Sequence, residues 1–371
     1  METKPLITFI FGTRPEAIKL APVIKVFQKS SKCKLRIVLT GQHNEMVSQV
    51  MDLFDIKSDK NLNLMKNKQS LNYITEKALS GINTEFMDHR PAIVIVQGDT
   101  STAFSAALAA FNEKIPIAHV EAGLRSGNIY NPYPEEANRR LISQIASLHF
   151  CPTNFSRKNL ISERIEKGIY VTGNTIIDSL KMVSKLVKSF KKKGYDFKNK
   201  DLILATLHRR ENWGANLSDI ALALRKIVDD NSSAVILLPL HKNPVVRTEL
   251  KKILNGHNQI MLTEPLSYEV LVSVLKECKF IITDSGGIQE EAPAFGKPVL
   301  IVRNNTERIE AIKAGSAKLI GTNKEKIYYE AGVLLNNKEE YQKMSQVSNP
   351  FGDGNASERI LKVCLDFLGI K

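Results

Sequence analysis

Six short polar runs stand out because each directly follows a block rich in isoleucine, valine and leucine. Gly12-Thr13-Arg14-Pro15-Glu16, with Lys19 just beyond, follows Leu6–Phe11. Gln97-Gly98-Asp99-Thr100 follows Ala92–Val96, and His119-Val120-Glu121-Ala122-Gly123-Leu124-Arg125 follows Ile115–Ala118. In the second half, Leu202–Ala205 leads into Thr206-Leu207-His208-Arg209-Arg210-Glu211-Asn212, and Ala234–Leu238 into Pro239-Leu240-His241-Lys242-Asn243. Phe280–Ile282 leads into Thr283-Asp284-Ser285-Gly286-Gly287-Ile288-Gln289-Glu290-Glu291. Arg14, Lys19, Arg209, Arg210 and Arg308 are cations suited to a diphosphate, arginine through its bidentate fork. Ser285-Gly286-Gly287 at the start of a helix suits an anion, because bare glycine lets backbone N–H groups approach. Asp99, Glu121 and Glu135 read as acids close to apolar strand ends. One such acid would read as a helix cap or an ion pair; three with His208 point to acid/base chemistry. His119, inside an apolar run, reads as a core histidine.

The elements that would position these residues form a repeating block, turn and helix. The apolar blocks, which also include Leu35–Leu39 and Val299–Val302, lack strict alternation, as expected of strands covered on both faces. Amphipathic stretches follow most of them, among them Glu16–Lys29, Thr102–Phe111, Leu217–Val228 and Glu269–Lys276. The pattern predicts an α/β chain of parallel sheets, with the polar runs at the carboxyl ends of strands, where ligands bind, and Lys19 on the first turn of its helix. Two Rossmann-like domains are expected to face each other across a cleft: an N-terminal domain over 1–180 and a C-terminal domain over 181–354. A lysine-rich connection over 181–200 joins them, and a last helix within 355–371 follows the turn at 349–354. The connection holds eight lysines and one acid. Lys181, Lys185, Lys188 and Lys192 share one helical face, Met182, Val183, Leu186 and Phe190 another, and Gly194 ends the helix. A solvated helix is the preferred reading, because a nucleic-acid site would interleave more aromatic residues than Phe190, Tyr195 and Phe197.

With 371 residues, 43% hydrophobic and 25% charged, the composition is that of a globular chain of two to three domains. No run approaches the roughly 18–20 apolar residues of a membrane span, and the N-terminus lacks a signal-peptide pattern, so a cytoplasmic protein is expected. Cys33, Cys151, Cys278 and Cys364 lie far apart and read as buried thiols, with no metal site. The net charge of +13 leaves nucleic acid, an acidic membrane face and a phosphorylated ligand all open. A P-loop, a G-x-G-x-x-G fingerprint after the first strand and a G-x-S-x-G elbow are all missing.

The chain resembles, essentially end to end, the non-hydrolysing UDP-N-acetylglucosamine 2-epimerases of bacteria. The carriers are GTRPEAIK at 12–19, GQHNEM at 41–46, QGDTSTA at 97–103, HVEAGLRSG at 119–127, YPEEANRR at 133–140, TGNTIID at 172–178, LHRREN at 207–212, TDSGGIQEEAPAFGKPVL at 283–300, TER at 306–308 and NPFGDGNAS at 349–357. The resemblance implies a fold like that of GT-B glycosyltransferases, with UDP held mainly by the second domain and the final helix returning to the first. It implies interconversion of UDP-GlcNAc and UDP-ManNAc without added cofactor, in a homodimer; no nucleic-acid partner and no membrane span are expected. Nucleotide-sugar contacts would fall on Arg14, Lys19, Asp99, Glu121, His208, Ser285, Gly286, Gly287, Glu291 and Arg308. Catalysis would fall on Asp99, Glu121, Glu135 and His208. Gln42, Arg210 and His241 could form a second, activating substrate site. The family's TERPE appears here as Thr306-Glu307-Arg308-Ile309-Glu310, its PWPEE as Pro132-Tyr133-Pro134-Glu135-Glu136, and Asn304-Asn305 replaces a more usual Asp/Glu-Thr. Ala17 and Arg209-Arg210 point to GlcNAc over other acetamido sugars.

Inverting C2 means taking a proton from an unactivated carbon, which loss of an anomeric leaving group makes feasible. Anti elimination would give UDP and 2-acetamidoglucal, and re-addition with protonation on the other C2 face would give the epimer. A hydrolysing epimerase releasing ManNAc, a GT-B glycosyltransferase and a nucleic-acid binder are the competing readings.

Overall fold

The structure is a computed structural model that describes residues 4–42, 44–64, 69–187 and 200–370. Most of the lysine-rich stretch, from 188 to 199, lies outside the described residues, as does His43. The chain divides into two compact units, Met1–Met182 with Phe351–Lys371, and Val183–Pro350.

The first unit contains β1 (Leu6–Phe11), α1 (Arg14–Lys29), β2 (Lys34–Leu39), α2 (Asn44–Leu53), β3 (Lys60–Asn61), α3 (Leu71–Asp88) and β4 (Ile93–Gln97). It continues through α4 (Ser101–Asn112), β5 (Ile117–Val120), α5 (Glu135–Ile145), β6 (Leu148–Cys151), α6 (Asn154–Ser162) and β7 (Ile169–Val171). Helix α7 (Thr175–Leu186) runs across the boundary of the two units. The strands form one sheet in the order β3-β2-β1-β4-β5-β6-β7, and every pairing is parallel. All five residues of β4 are buried, which explains why its sequence does not alternate. The alanines of α4 (Ala103, Ala106, Ala107 and Ala110) lie in the core with Val94, Val96 and Ile117, where small side chains allow close helix–sheet approach.

The second unit contains β8 (Asp201–Thr206), α8 (Ala215–Asp229), β9 (Ala234–Pro239), α9 (Pro244–Leu254), β10 (Ile260–Thr263), α10 (Tyr268–Glu277) and β11 (Phe280–Thr283). Then come α11 (Gly286–Glu291), β12 (Val299–Ile301), α12 (Ile309–Ala314), β13 (Ala317–Leu319), α13 (Lys324–Asn336) and α14 (Lys338–Ser345). Its sheet, also parallel, has the order β10-β9-β8-β11-β12-β13. The last helix, α15 (Ala356–Phe367), packs on α1 of the first unit and buries Ile360 and Cys364. The Asp178 carboxylate on α7 caps its start, accepting the Ala356 and Ser357 N–H groups at 3.2 and 2.8 Å.

The short strands β3, β6, β7, β10 and β13 were not legible as apolar blocks: β6 holds His149 and Cys151, and β7 is only three residues long with two of them exposed. Helix α1 begins at Arg14, so Lys19 sits on its second turn and not the first. Strand β5 runs two residues later than its apolar block, which makes His119 and Val120 strand residues. All four cysteines are buried free thiols, and burial pushes Cys151 and Cys278 up to about 12.

Candidate functional site

Each sheet has one switch point, where chain connections leave in opposite directions: β1/β4 in the first unit and β8/β11 in the second. Ligands of open parallel sheets bind outside the carboxyl ends of strands at such points. Thr13 and Asp99 follow β1 and β4; His208 and Asp284 follow β8 and β11. Four of the six polar runs therefore lie where the topology leaves room, and the other two follow β5 and β9 beside them.

In the first unit, Glu16 knits the β1 turn to β4. Its buried carboxylate accepts the Gly12 and Thr13 N–H groups at 3.0 and 2.7 Å and the Thr100 hydroxyl at 2.7 Å. Burial raises its pKa, against the lowering effect of those donors. Gly12 is required by space: a Cβ there would stand 2.0 Å from Thr40 Oγ1 and 3.1 Å from Thr102 Oγ1. The same two hydroxyls meet at 3.0 Å, and Thr102 donates to Gln42 Oε1 at 3.1 Å. Gly12→Ala is expected to destabilise the chain by about 1–3 kcal/mol through this overpacking, read as a lowered urea midpoint; an unchanged midpoint would show that Thr40 can swing clear.

Three acids lie in the segments that follow β4 and β5. Asp99 is held by Arg139, whose Nε donates to Oδ2 at 2.9 Å and whose Nη2 contacts the same oxygen, while Asn138 Nδ2 donates to the Asp99 carbonyl at 2.8 Å. Glu121 pairs with buried Lys19 and accepts from Gln97 Nε2. Its φ of 67° is uncommon for a residue with a side chain, and strain of this kind, of order 1–3 kcal/mol, concentrates at functional sites. Glu135 opens α5, so it is a helix-start residue and not one at a strand end. Its Oε2 is buried with no hydrogen-bond partner among the described residues. The neighbouring Glu136, 0% exposed, accepts Ser126 N–H at 3.0 Å, Arg140 Nε at 2.9 Å and Arg139 Nη1 at 3.3 Å. Arg139 thus links Glu136 to Asp99, and neither it nor Glu136 carried a distinguishing sequence signal beside Arg140 and Glu135. His119 is buried as expected; its Nε2 lies 2.7 Å from the Gly98 carbonyl, and burial lowers its pKa to about 3.

In the second unit, Asp284 organises the β8 turn. Its fully buried carboxylate accepts His208 N–H at 3.0 Å, Arg209 N–H at 2.9 Å and Asn212 Nδ2 at 3.1 Å, and lies 3.1 Å from His208 Nδ1. Burial alone would raise its pKa, but the His208 side chain and the two backbone donors outweigh it and hold the carboxyl below the usual range. His241, after β9, stacks on His208 with ring centroids 6.0 Å apart. Burial, then the neighbouring His208, lowers the His241 pKa. Exposed Arg210 turns to Trp213, 5.9 Å from the ring centroid.

Ser285 precedes α11, and its N–H donates to Thr283 Oγ1 at 2.9 Å. A Cβ on Gly286 would lie 3.3 Å from Arg308 Cζ and 3.6 Å from Arg209 Nη2, so two guanidinium groups stand over this glycine. At Gly287 a Cβ would meet nothing within 4 Å. Arg308 Nε donates to buried Glu290 at 2.9 Å. Glu291 is also buried. Glu307 lies between Arg303, at 3.1 Å, and Arg308, at 3.8 Å. Burial opposes its ionisation, yet Arg308 and then Arg303 bring its pKa down from 4.5 to about 2. A depressed carboxyl stabilises above its unfolded pKa and loses that contribution as pH falls through the folded one. The stability gap between wild type and Glu307→Gln is therefore expected to shrink as pH drops from 4.5 towards 2; a gap flat across that window in urea titrations would contradict this.

The structure therefore places Arg14, Lys19, Gln42, Asp99, Glu121 and Glu135 in the first unit. His208, Arg210, His241, Ser285, Gly286, Gly287, Glu291 and Arg308 are in the second. Within the first, hydrogen bonds join Lys19 to Glu121, and Asp99 to the helix that starts with Glu135. Within the second, His208 meets His241, and Gly286 meets Arg308. Among the described residues no group of histidine, cysteine and acidic side chains is arranged to hold a metal ion, and no helix is long and apolar enough to cross a membrane.

Comparison with known proteins gives the family and the fold. Residues 25–365 match the family model described as UDP-N-acetylglucosamine 2-epimerase. The UDP-N-acetylglucosamine 2-epimerase of Campylobacter jejuni is 47% identical over 371 residues, with 97% of each chain covered. The crystal structure of UDP-GlcNAc 2-epimerase from Neisseria meningitidis bound to UDP-GlcNAc superposes with a TM-score of 0.92 at 43% identity, covering 97% of this chain and all of that one. A glycotransferase of kitacinnamycin, 10% identical with a TM-score of 0.64, shares the GT-B-like fold alone. The chain belongs to the UDP-N-acetylglucosamine 2-epimerase family.

Proposed function

We propose that this protein is a non-hydrolysing UDP-GlcNAc 2-epimerase that needs no added cofactor. It would act as a cytoplasmic homodimer and supply UDP-ManNAc for a bacterial surface polysaccharide. One observation carries the reading: Asp99 and Glu121 follow the neighbouring strands β4 and β5, and Glu135 opens the helix whose Arg139 holds Asp99. Asp99 and Glu121 are ion-paired, and Glu135 Oε2 is buried with no hydrogen-bond partner among the described residues. Proton transfer at carbon needs positioned acid/base groups, and these three carboxylates are the candidates for them.

In the proposed reaction, a carboxylate among Asp99, Glu121 and Glu135 takes the C2 proton. The C2–H electrons form the C1=C2 bond of 2-acetamidoglucal, and the C1–O electrons leave with UDP. A diphosphate oxygen then re-adds at C1 while a second acid of the set protonates the opposite face of C2. Arg14, Lys19, His208, Ser285, Gly286, Gly287, Glu291 and Arg308 are assigned to substrate binding, the cations meeting charge that grows on the departing diphosphate. Gln42, Arg210 and His241 are assigned to a second UDP-GlcNAc site that activates the enzyme; hyperbolic kinetics from trace to saturating substrate would remove that assignment.

Proton NMR of the protein with UDP-GlcNAc in D₂O tests the activity. UDP-ManNAc carrying deuterium at C2, with deuterium also entering UDP-GlcNAc, is the expected result. Free ManNAc with UDP would place the chain on the hydrolysing branch. An unchanged spectrum, with binding shown separately, would overturn the proposal.

A further inference from the structure

We propose that Asp284 is a positioning residue for His208: it fixes the ring so that Nδ1 carries a proton towards Asp284 and Nε2 is the edge offered to substrate. The inference rests on the assignment of His208 to the substrate site. The observations are local to one switch point. Asp284 follows β11, His208 follows β8, and these strands are hydrogen-bonded neighbours. The carboxylate has no exposed surface, while the His208 side chain is about one-third exposed. One buried acid therefore holds both the backbone of His208 and Arg209 and the His208 ring.

Asn212 completes the arrangement. Its Nδ2 donates both to Asp284 Oδ2 and to the Val302 carbonyl, each at 3.1 Å, tying the carboxylate to the end of β12. Every group facing Asp284 in this set is a donor, so the acid has only acceptor roles to fill. An acceptor opposite Nδ1 selects the tautomer with the proton on Nδ1. The His241 ring stacks beside the imidazole, with the ring centroids 6.0 Å apart. Asp284 acts on the reaction only through His208 and its neighbours, which keeps it distinct from the groups assigned to substrate contact.

Asp284→Asn keeps the size of the side chain and one acceptor oxygen, but sets an NH₂ group among donors. It is expected to lower kcat by about 10–100-fold, the range known for carboxylates that orient metal-bound histidines, with KM changed by less than about twofold. In a His208→Gln background the same substitution should cost almost nothing further. Equal losses in both backgrounds would show a role independent of His208 and overturn the inference.

A second measurement needs neither turnover nor a folded Asp284→Asn chain. The ¹⁵N spectrum of His208 in the wild-type protein, assigned by its loss in His208→Gln, should show a protonated Nδ1. An unprotonated Nδ1 with the proton on Nε2 would overturn the inference. A chain inactive on UDP-GlcNAc would defeat the proposed activity and leave the assignment of Asp284 to this spectrum.

Discussion

Glu135→Gln is expected to lower kcat by about 10²–10⁴, the usual cost of removing a group that transfers a proton in the transition state, while leaving the unfolding midpoint close to wild type. Both halves follow from its surroundings. Glu135 is half-buried at the start of α5, and its inner oxygen bonds to nothing among the described residues. The amide keeps the shape and removes the charge, so no established bond is broken. Asp99→Asn should differ: it loses the same kind of chemistry but also weakens the pair with Arg139, a stability cost of about 1 kcal/mol at this partly exposed position. Steady-state epimerisation and C2 deuterium wash-in, measured alongside urea unfolding, separate the two effects. Turnover near wild type in Asp99→Asn, Glu121→Gln and Glu135→Gln alike would remove all three from acid/base roles.

The pair Glu135-Glu136 also shows where sequence reading stops. Two identical residues in one motif occupy opposite environments, because consecutive residues on a helix are turned about 100° apart: one keeps a carboxylate oxygen without a partner among the described residues, the other accepts from three donors. Strands buried on both faces were legible because their composition is uniform, as in Ile93–Gln97. Short strands carrying polar residues, such as Leu148–Cys151 with His149, were not. The polar runs after strands announced Asp99, Glu121 and His208, because parallel topology puts loop ends of sequence-distant strands side by side. The partners of these residues were hidden. Arg139 lies 40 residues from Asp99 and Asp284 lies 76 from His208, and nothing local in sequence marks such pairs. Lys19 was found as a cation, but its partner Glu121 is 102 residues away and was read independently as an acid.

Glu136→Ala is the substitution expected to cost the most stability, about 3–5 kcal/mol, the range for breaking one side of a buried ion pair. The Glu136 side chain has no exposed surface, and that of Arg139 is 7% exposed. Truncation would leave the Arg139 guanidinium buried with one acidic partner instead of two and would strip the Ser126 N–H of its acceptor. The cost exceeds that of removing an ordinary surface pair because the buried guanidinium keeps its desolvation penalty with one partner fewer to offset it. Glu136→Gln should cost less, since its carbonyl can still accept from Ser126 N–H. The same variants should also lower kcat, because Arg139 is the group that aims Asp99, but deuterium wash-in at C2 should persist in whatever fraction remains folded. Urea midpoints for Glu136→Ala, Glu136→Gln and Glu135→Gln, measured side by side, decide the matter. A Glu136→Ala midpoint no lower than that of Glu135→Gln would mean that the Ser126, Arg139 and Arg140 contacts contribute nothing to holding this corner of the sheet together.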